Sequence, residues 1–340
     1  MGTAEGQNSD MGRPADEDAG TEPVVDTSTR DEPIGKWVHD YEKRSIEVTA
    51  LIARGGLEGL IERLLDDDEH KRYDVAGDIA KGGQAVIPRA IELAEDARPR
   101  MREMACYILG QVGYPDPDSR GFLIHYPEGV PALIRCLEDD PEPDVRAAAA
   151  AALGHQQVPA TLPVLCRAAS DPDSEVRFDV ACALGSFYED AWEEEEARGH
   201  REEVIAALLR LMDDEDQDVR DWATFGIHQG GHDTPVVRAR LWQALDDPCP
   251  EVRGEAAWSL GIFGDRSLIP RLETLLREDR EISPNYFEAA EALGDPCLLP
   301  AVLEGAERWR RTMEAEGELH FCITSAIEAL EKAVAAEGNR

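Results

Sequence analysis

At 340 residues and 42% hydrophobic content the chain is long enough to bury a sizeable core, and 71 Asp and Glu against 35 Lys and Arg give it a formal charge of −36. Such a field repels nucleic acid and anionic lipid and attracts basic partners. No stretch approaches the roughly 18 apolar residues of a membrane span, and seven scattered cysteines without a Cys-x-x-Cys pair read as free thiols of a reducing, cytoplasmic compartment.

Residues 1–33 hold nine acids against two Arg and no aromatic, and are expected to form a disordered acidic tail. They show no basic segment followed by an apolar run, so no signal peptide is expected. Residues 34–55 are amphipathic and predict a helix that caps the N-terminal end of the folded array.

From residue 56 to 336 one helical pattern recurs. Arg72, Arg102, Arg146, Arg177, Arg220 and Arg253 are each preceded six residues earlier by Asp66, Asp96, Asp140, Asp171, Asp214 or Asp247, and Tyr286 stands in for Arg in a seventh copy, whose position six earlier is Arg280. Seven residues after each anchor comes Ile79, Leu109, Leu153, Leu184, Ile227, Leu260 or Leu293, with a small pair between, as in Ala149-Ala150 and Ala256-Ala257. A helical repeat of about 30 residues marks a solenoid of helix pairs. The predicted pairs lie at 56–80, 84–112, 128–155, 158–186, 200–229, 235–263, 267–294 and 297–336. Anchor spacings of 30, 31 and 33 residues lengthen to 44 and 43 in two intervals, which places insertions at 113–127 and 187–199 on one edge of the stack.

Each element of the pattern has a physical task. The leading Asp suits a helix N-cap, and the Pro that follows it in three copies suits the first helical position. The small pair lets second helices approach closely, and the Ile or Leu one turn on closes the core.

The pattern resembles the HEAT repeat, in the short form found in phycobilin lyases and deoxyhypusine hydroxylases, whose second helix also opens with Asp and Val-Arg and runs through Ala to Leu-Gly. The resemblance implies an all-α, right-handed α-α superhelix of the HEAT/armadillo type with about eight helix pairs, its second helices lining a concave face. The hydroxylases hold two irons with His-Glu dipeptides placed directly after the repeat Arg. Here the corresponding pairs are Gly254-Glu255, Phe178-Asp179 and Phe287-Glu288, and no His-Glu dipeptide occurs in the chain. No metal and no cofactor are therefore expected.

On a concave second-helix face, the positions not consumed by packing are the first, second and fifth after the anchor. Across seven repeats seven of these 21 positions are aromatic, seven are acidic, and none is Lys or Arg. Rings interleaved with carboxylates suit a cationic side chain, worth roughly 0.5–2 kcal/mol per stacked ring. The candidate contact residues are Glu103 and Tyr107, then Phe178, Asp179, Asp221, Trp222, Phe225, Glu255 and Trp258 over three consecutive repeats, then Phe287 and Glu288. The alternative is that these rings pack between neighbouring helices. The expected function is a non-catalytic scaffold for a basic protein or peptide, such as an adaptor, an assembly chaperone or an immunity-type inhibitor. The competing expectation is a phycobilin-lyase-like or other protein-modifying enzyme that uses the same groove. Thirty Arg against five Lys suggest a bacterial source.

Overall fold

A computed structural model describes residues 34–115, 123–312 and 321–338; the expected acidic tail lies outside them. Helix α1 (Ile34–Ala53) precedes eight helix pairs. These are α2 (Leu57–Arg63) with α3 (Glu69–Ala80), α4 (Ile87–Leu93) with α5 (Pro99–Gln111), α6 (Val130–Asp139) with α7 (Pro143–Gln156), and α8 (Leu162–Ala168) with α9 (Ser174–Gly185). They continue as α10 (Glu195–Leu211) with α11 (Gln217–Gln229), α12 (Pro235–Ala244) with α13 (Pro250–Ile262), α14 (Ile269–Glu278) with α15 (Asn285–Leu293), and α16 (Leu299–Thr312) with α17 (Phe321–Gly338). The fold is an all-α superhelix in which second helices stack on second helices.

The arginines rivet this stack. In Arg102, Arg146, Arg177, Arg220 and Arg253 the Nε and Nη2 atoms donate to both oxygens of Asp140, Asp171, Asp214, Asp247 and Asp279 of the next repeat, at 2.6–3.0 Å. The remaining nitrogen, Nη1, donates backward to the turn of its own repeat, as from Arg146 to the carbonyl oxygens of Asp140 (2.9 Å) and Pro141 (3.3 Å). The same Asp accepts a backbone N–H two residues on, as Asp140 does from Glu142 at 3.0 Å. One planar fork thus fixes two turns and two repeats at once, a geometry that Lys cannot reproduce.

This corrects the expected role of the leading Asp. It is not the N-cap. The cap lies two residues later, where Asp68, Asp173 and Asp216 accept from the first helical turn. Pro141, Pro172 and Pro248 accordingly sit in the turn, while Pro143 and Pro250 open their helices. In the seventh copy the ladder is carried by Asp279 rather than position 280: it takes the Arg253 fork, and the Tyr286 hydroxyl, standing where Arg would be, donates to its Oδ2 at 2.5 Å.

Between rungs the core is largely aliphatic. Leu109, Leu153, Leu184, Ile227 and Leu260 are fully enclosed, as are Ala149, Ala150, Ala256 and Ala257. The glycine after the core leucine is required by contact: a Cβ on Gly154 would stand 2.8 Å from Cα of Ala183, and one on Gly110 or Gly261 meets Cα of Ala152 or Ala289 at the same distance.

Neither insertion is a plain loop. The described residues of the first include an antiparallel pair, β1 (Gly113–Pro115) with β2 (Leu123–His125), and Gly113 O accepts from the Tyr41 hydroxyl of α1 at 3.1 Å. The second begins with buried Phe187, folds a short 3-10 turn around buried Trp192, and starts α10 at Glu195, earlier than the expected residue 200. The Trp192 ring lies 5.1 Å from that of His232, under the Arg201 guanidinium.

Removing one member of a rung strands its partner. Asp171→Ala leaves the Arg146 side chain, 13% exposed, without its hydrogen-bonded carboxylate, and is expected to cost roughly 3 kcal/mol in denaturant unfolding of the full chain. A loss under about 1 kcal/mol would show that the rung is not structural.

Candidate functional site

The second helices frame a hollow. A cavity of about 660 Å³ is lined by residues of α3, α5, α7 and α9 and the turns ahead of them, from Glu69 and Tyr73 at one end to Glu175 and Asp179 at the other. Its floor is the alanine run of α7, with Ala147, Ala148, Ala151 and Ala152. One wall carries Tyr73 and Tyr107, edge to face at 4.9 Å, with the Tyr73 hydroxyl donating to Glu103 Oε1 at 3.2 Å. Six carboxylates (Glu69, Glu103, Glu142, Asp144, Glu175, Asp179) and two guanidinia (Arg72, Arg100) line it. Burial pushes the Glu103 carboxyl above its ordinary range.

Next along the same stack of second helices lies a chain of rings. Phe178 meets Trp222 at 6.0 Å, Trp222 meets Phe225 at 5.4 Å, Phe225 meets His228 at 5.1 Å, and His228 meets Trp258 at 4.4 Å. These rings pack against one another across repeats, and of the eleven candidate residues only Trp222, at 38%, is broadly exposed. Phe287 must be withdrawn as a contact residue. It is fully enclosed, in a helix that α17 packs against, Ser325 Oγ donating to Glu291 Oε1 at 2.8 Å. Glu288 lies on α15 and is half-buried.

Beside the rings are three carboxyl groups that no Arg or Lys pairs with among the described residues. Burial raises Asp179 to about 7, with Glu175 adding to it; burial raises Asp221 to about 6, with Glu251 and Asp218 nearby; and burial with the neighbouring Asp221 raises Glu255 to about 8. Asp221 Oδ1 and Glu255 Oε2 are buried without a hydrogen-bond partner, although Asn285 Nδ2 donates to Glu255 Oε1 at 2.7 Å. The ladder carboxyls behave oppositely. Burial alone would raise Asp140, Asp171, Asp214, Asp247 and Asp279, yet the guanidinium forks and backbone N–H groups outweigh it and hold all five below the usual carboxylate range.

His228 is the residue that sequence reasoning missed. It occupies the eighth position after its anchor, where Gly110, Gly154, Gly185 and Gly261 occur in other repeats. Its Nδ1 lies 3.3 Å from Ser259 Oγ, whose proton goes to Glu255 O at 2.7 Å, so the ring nitrogen is the donor in that contact. Nε2 is then a buried acceptor without a partner. Burial lowers His228 to about 4; with Glu255 raised, both are uncharged at neutral pH, and their 3.7 Å approach is not an ion pair. A large side chain at a position that is otherwise Gly, or Ala80 in the first repeat, was the available signal.

Known proteins share the repeat pattern. The profile of the HEAT repeats matches residues 130–228, 205–294 and 237–312, together more than half of the chain, and that of a HEAT-like repeat matches 99–155. The chain belongs to the HEAT-repeat family. Among HEAT-repeat relatives, Protein YibA of Escherichia coli K12 is 29% identical over 279 residues, covering 79% of this chain and 89% of its own. The X-ray structure of E. coli YibA superposes with a TM-score of 0.58 at 26% identity, over 81% of this chain and 92% of that one. The complex of CpcE and CpcF of phycocyanin lyase from Nostoc sp. PCC7120 gives a TM-score of 0.40 at 23% identity, over 52% of this chain and 98% of that one.

A carboxyl raised by folding favours the folded state below its unfolded pKa and loses that contribution as pH climbs through the folded value. For Asp221, Asp179 and Glu255 that window runs from about pH 4 to about pH 8. Glu255→Gln is therefore expected to melt close to the parent at about pH 5 and clearly above it at about pH 9; an equal offset at both would mean that Glu255 does not titrate in that window.

Proposed function

We propose that the concave face of this HEAT-repeat protein is a non-catalytic docking surface for a basic protein or peptide, acting in the cytoplasm. The observation that supports it is the contrast between two sets of buried carboxyls in one molecule. Five ladder carboxyls hold an Arg each, whereas Asp179, Asp221 and Glu255, beside open Trp222, hold none. Desolvated carboxylates of this kind are stabilised by an arriving guanidinium or ammonium, and the adjacent rings can stack on it.

Binding of such a partner should release protons. A cation favours the ionised carboxyls, so the affinity for an Arg-rich peptide blocked at both ends should rise as pH climbs from about 6 to about 8, and fall with salt. Titration calorimetry in two buffers of different ionisation heat would measure both. Asp179→Asn, Asp221→Asn and Glu255→Gln combined should weaken binding by about tenfold or more while keeping the helical signal. Absence of binding at low salt, or binding that the combined variant leaves intact, would defeat the proposal.

A further inference from the structure

One rung of the arginine ladder is unmatched, and it lines the cavity. Arg72 has a counterpart in Asp96, placed as Asp140 is for Arg102. Both Asp96 oxygens are instead held by Arg98, whose Nε and Nη2 each donate at 2.8 Å and whose backbone N–H donates at 2.9 Å. Those hydrogen bonds hold the Asp96 carboxyl down at about 2. Arg72 is only 7% exposed; its Nη1 donates to the carbonyl oxygens of Asp66 (3.1 Å) and Asp67 (3.2 Å), and its Nε is buried without an acceptor. Every other ladder arginine offers this same edge to a carboxylate.

Across the cavity, α7 and α9 present Asp144, Glu175 and Asp179, none with an Arg or Lys partner among the described residues. The hollow is therefore two-signed, with Arg72 and Arg100 on its α3–α5 side beside Glu69 and Glu103, and carboxyl groups alone among the charged residues on its α7–α9 side. A purely anionic ligand meets the carboxylates of α7 and α9, and a purely cationic one leaves the Arg72 edge unmatched. A ligand that answers both walls carries a carboxylate and a cation a side-chain length apart. We infer that the cavity receives the C-terminal residue of a basic polypeptide, its α-carboxylate on the Arg72 guanidinium at the cavity wall and its cationic side chain toward Asp144, Glu175 and Asp179. This rests on the basic-partner reading above and specifies which part of the partner is gripped. A volume of about 660 Å³ lies in the range of sites that enclose a drug-sized molecule, more than one residue. A free basic amino acid would in addition bring an α-ammonium beside Arg72, where a peptide has a neutral amide.

The test compares one Arg-ending peptide as free acid and as C-terminal amide, titrated against the full chain. The free acid is expected to bind at least about tenfold more tightly. Arg72→Lys keeps a donor for the turn carbonyls but lacks the planar fork, and should reduce the difference to under about twofold. Arg98→Ala should do the same by another route, since it frees Asp96 to close on Arg72 from within; circular dichroism and the melting temperature would verify that it folds. Equal binding of acid and amide would overturn the inference while leaving the basic-face reading standing. So would discrimination that survives both variants, or free L-arginine competing as well as the peptide. Failure of both peptide forms to bind would remove the basic-face reading together with the inference.

Discussion

The structure depends on the buried fork between each repeat arginine and the aspartate of the next repeat. In a solenoid each repeat packs mainly on its neighbours, so the relation of one repeat to the next must be set at their shared joint. Apolar packing between the second helices is close but slides easily along a smooth surface of alanines. The fork adds direction: two parallel hydrogen bonds forward and one or two backward define both spacing and rotation. Where the arginine is lost, at Tyr286, a hydroxyl on the same aspartate retains part of that definition.

Most of this was legible in the sequence because the ladder is written in the residues that build it. The Asp-to-Arg interval, the small pair and the closing leucine recur with a period that only stacked helix pairs explain. What the sequence left ambiguous was which aspartate does what. Asp66 and Asp68, Asp171 and Asp173, Asp214 and Asp216 stand two residues apart, and a cap and a ladder partner both call for a carboxylate near a helix start. Three-dimensional placement alone separates them.

The candidate face was read less completely, for two physical reasons. Side-chain depth depends on what covers a helix, and Phe287 lies in α15, which the last helix packs against. The hollow also lies over α7, where the positions facing it carry alanine and offered no chemical signal; there the absence of side chains creates the space. The carboxyls and rings from Phe178 to Trp258 do follow one another along successive second helices, but with the rings leaning on each other rather than standing free. The two halves of the face therefore differ in kind, an open hollow with charged walls beside a nearly closed aromatic seam.

The joint between α11 and α13 is built unlike its neighbours. At the α5–α7, α7–α9, α9–α11 and α13–α15 joints a glycine lets two backbones meet at van der Waals distance, as with Gly154 and Ala183 or Gly185 and Gly226. Here an imidazole and a serine hydroxyl fill the same place, leaving lone pairs and a protonated carboxyl group without full satisfaction. A chain of like springs bends evenly; one with a single softer coil concentrates its flexing there. Any change in curvature that the superhelix undergoes should therefore hinge at His228, dividing the molecule into a stiff leading arm and a shorter trailing one.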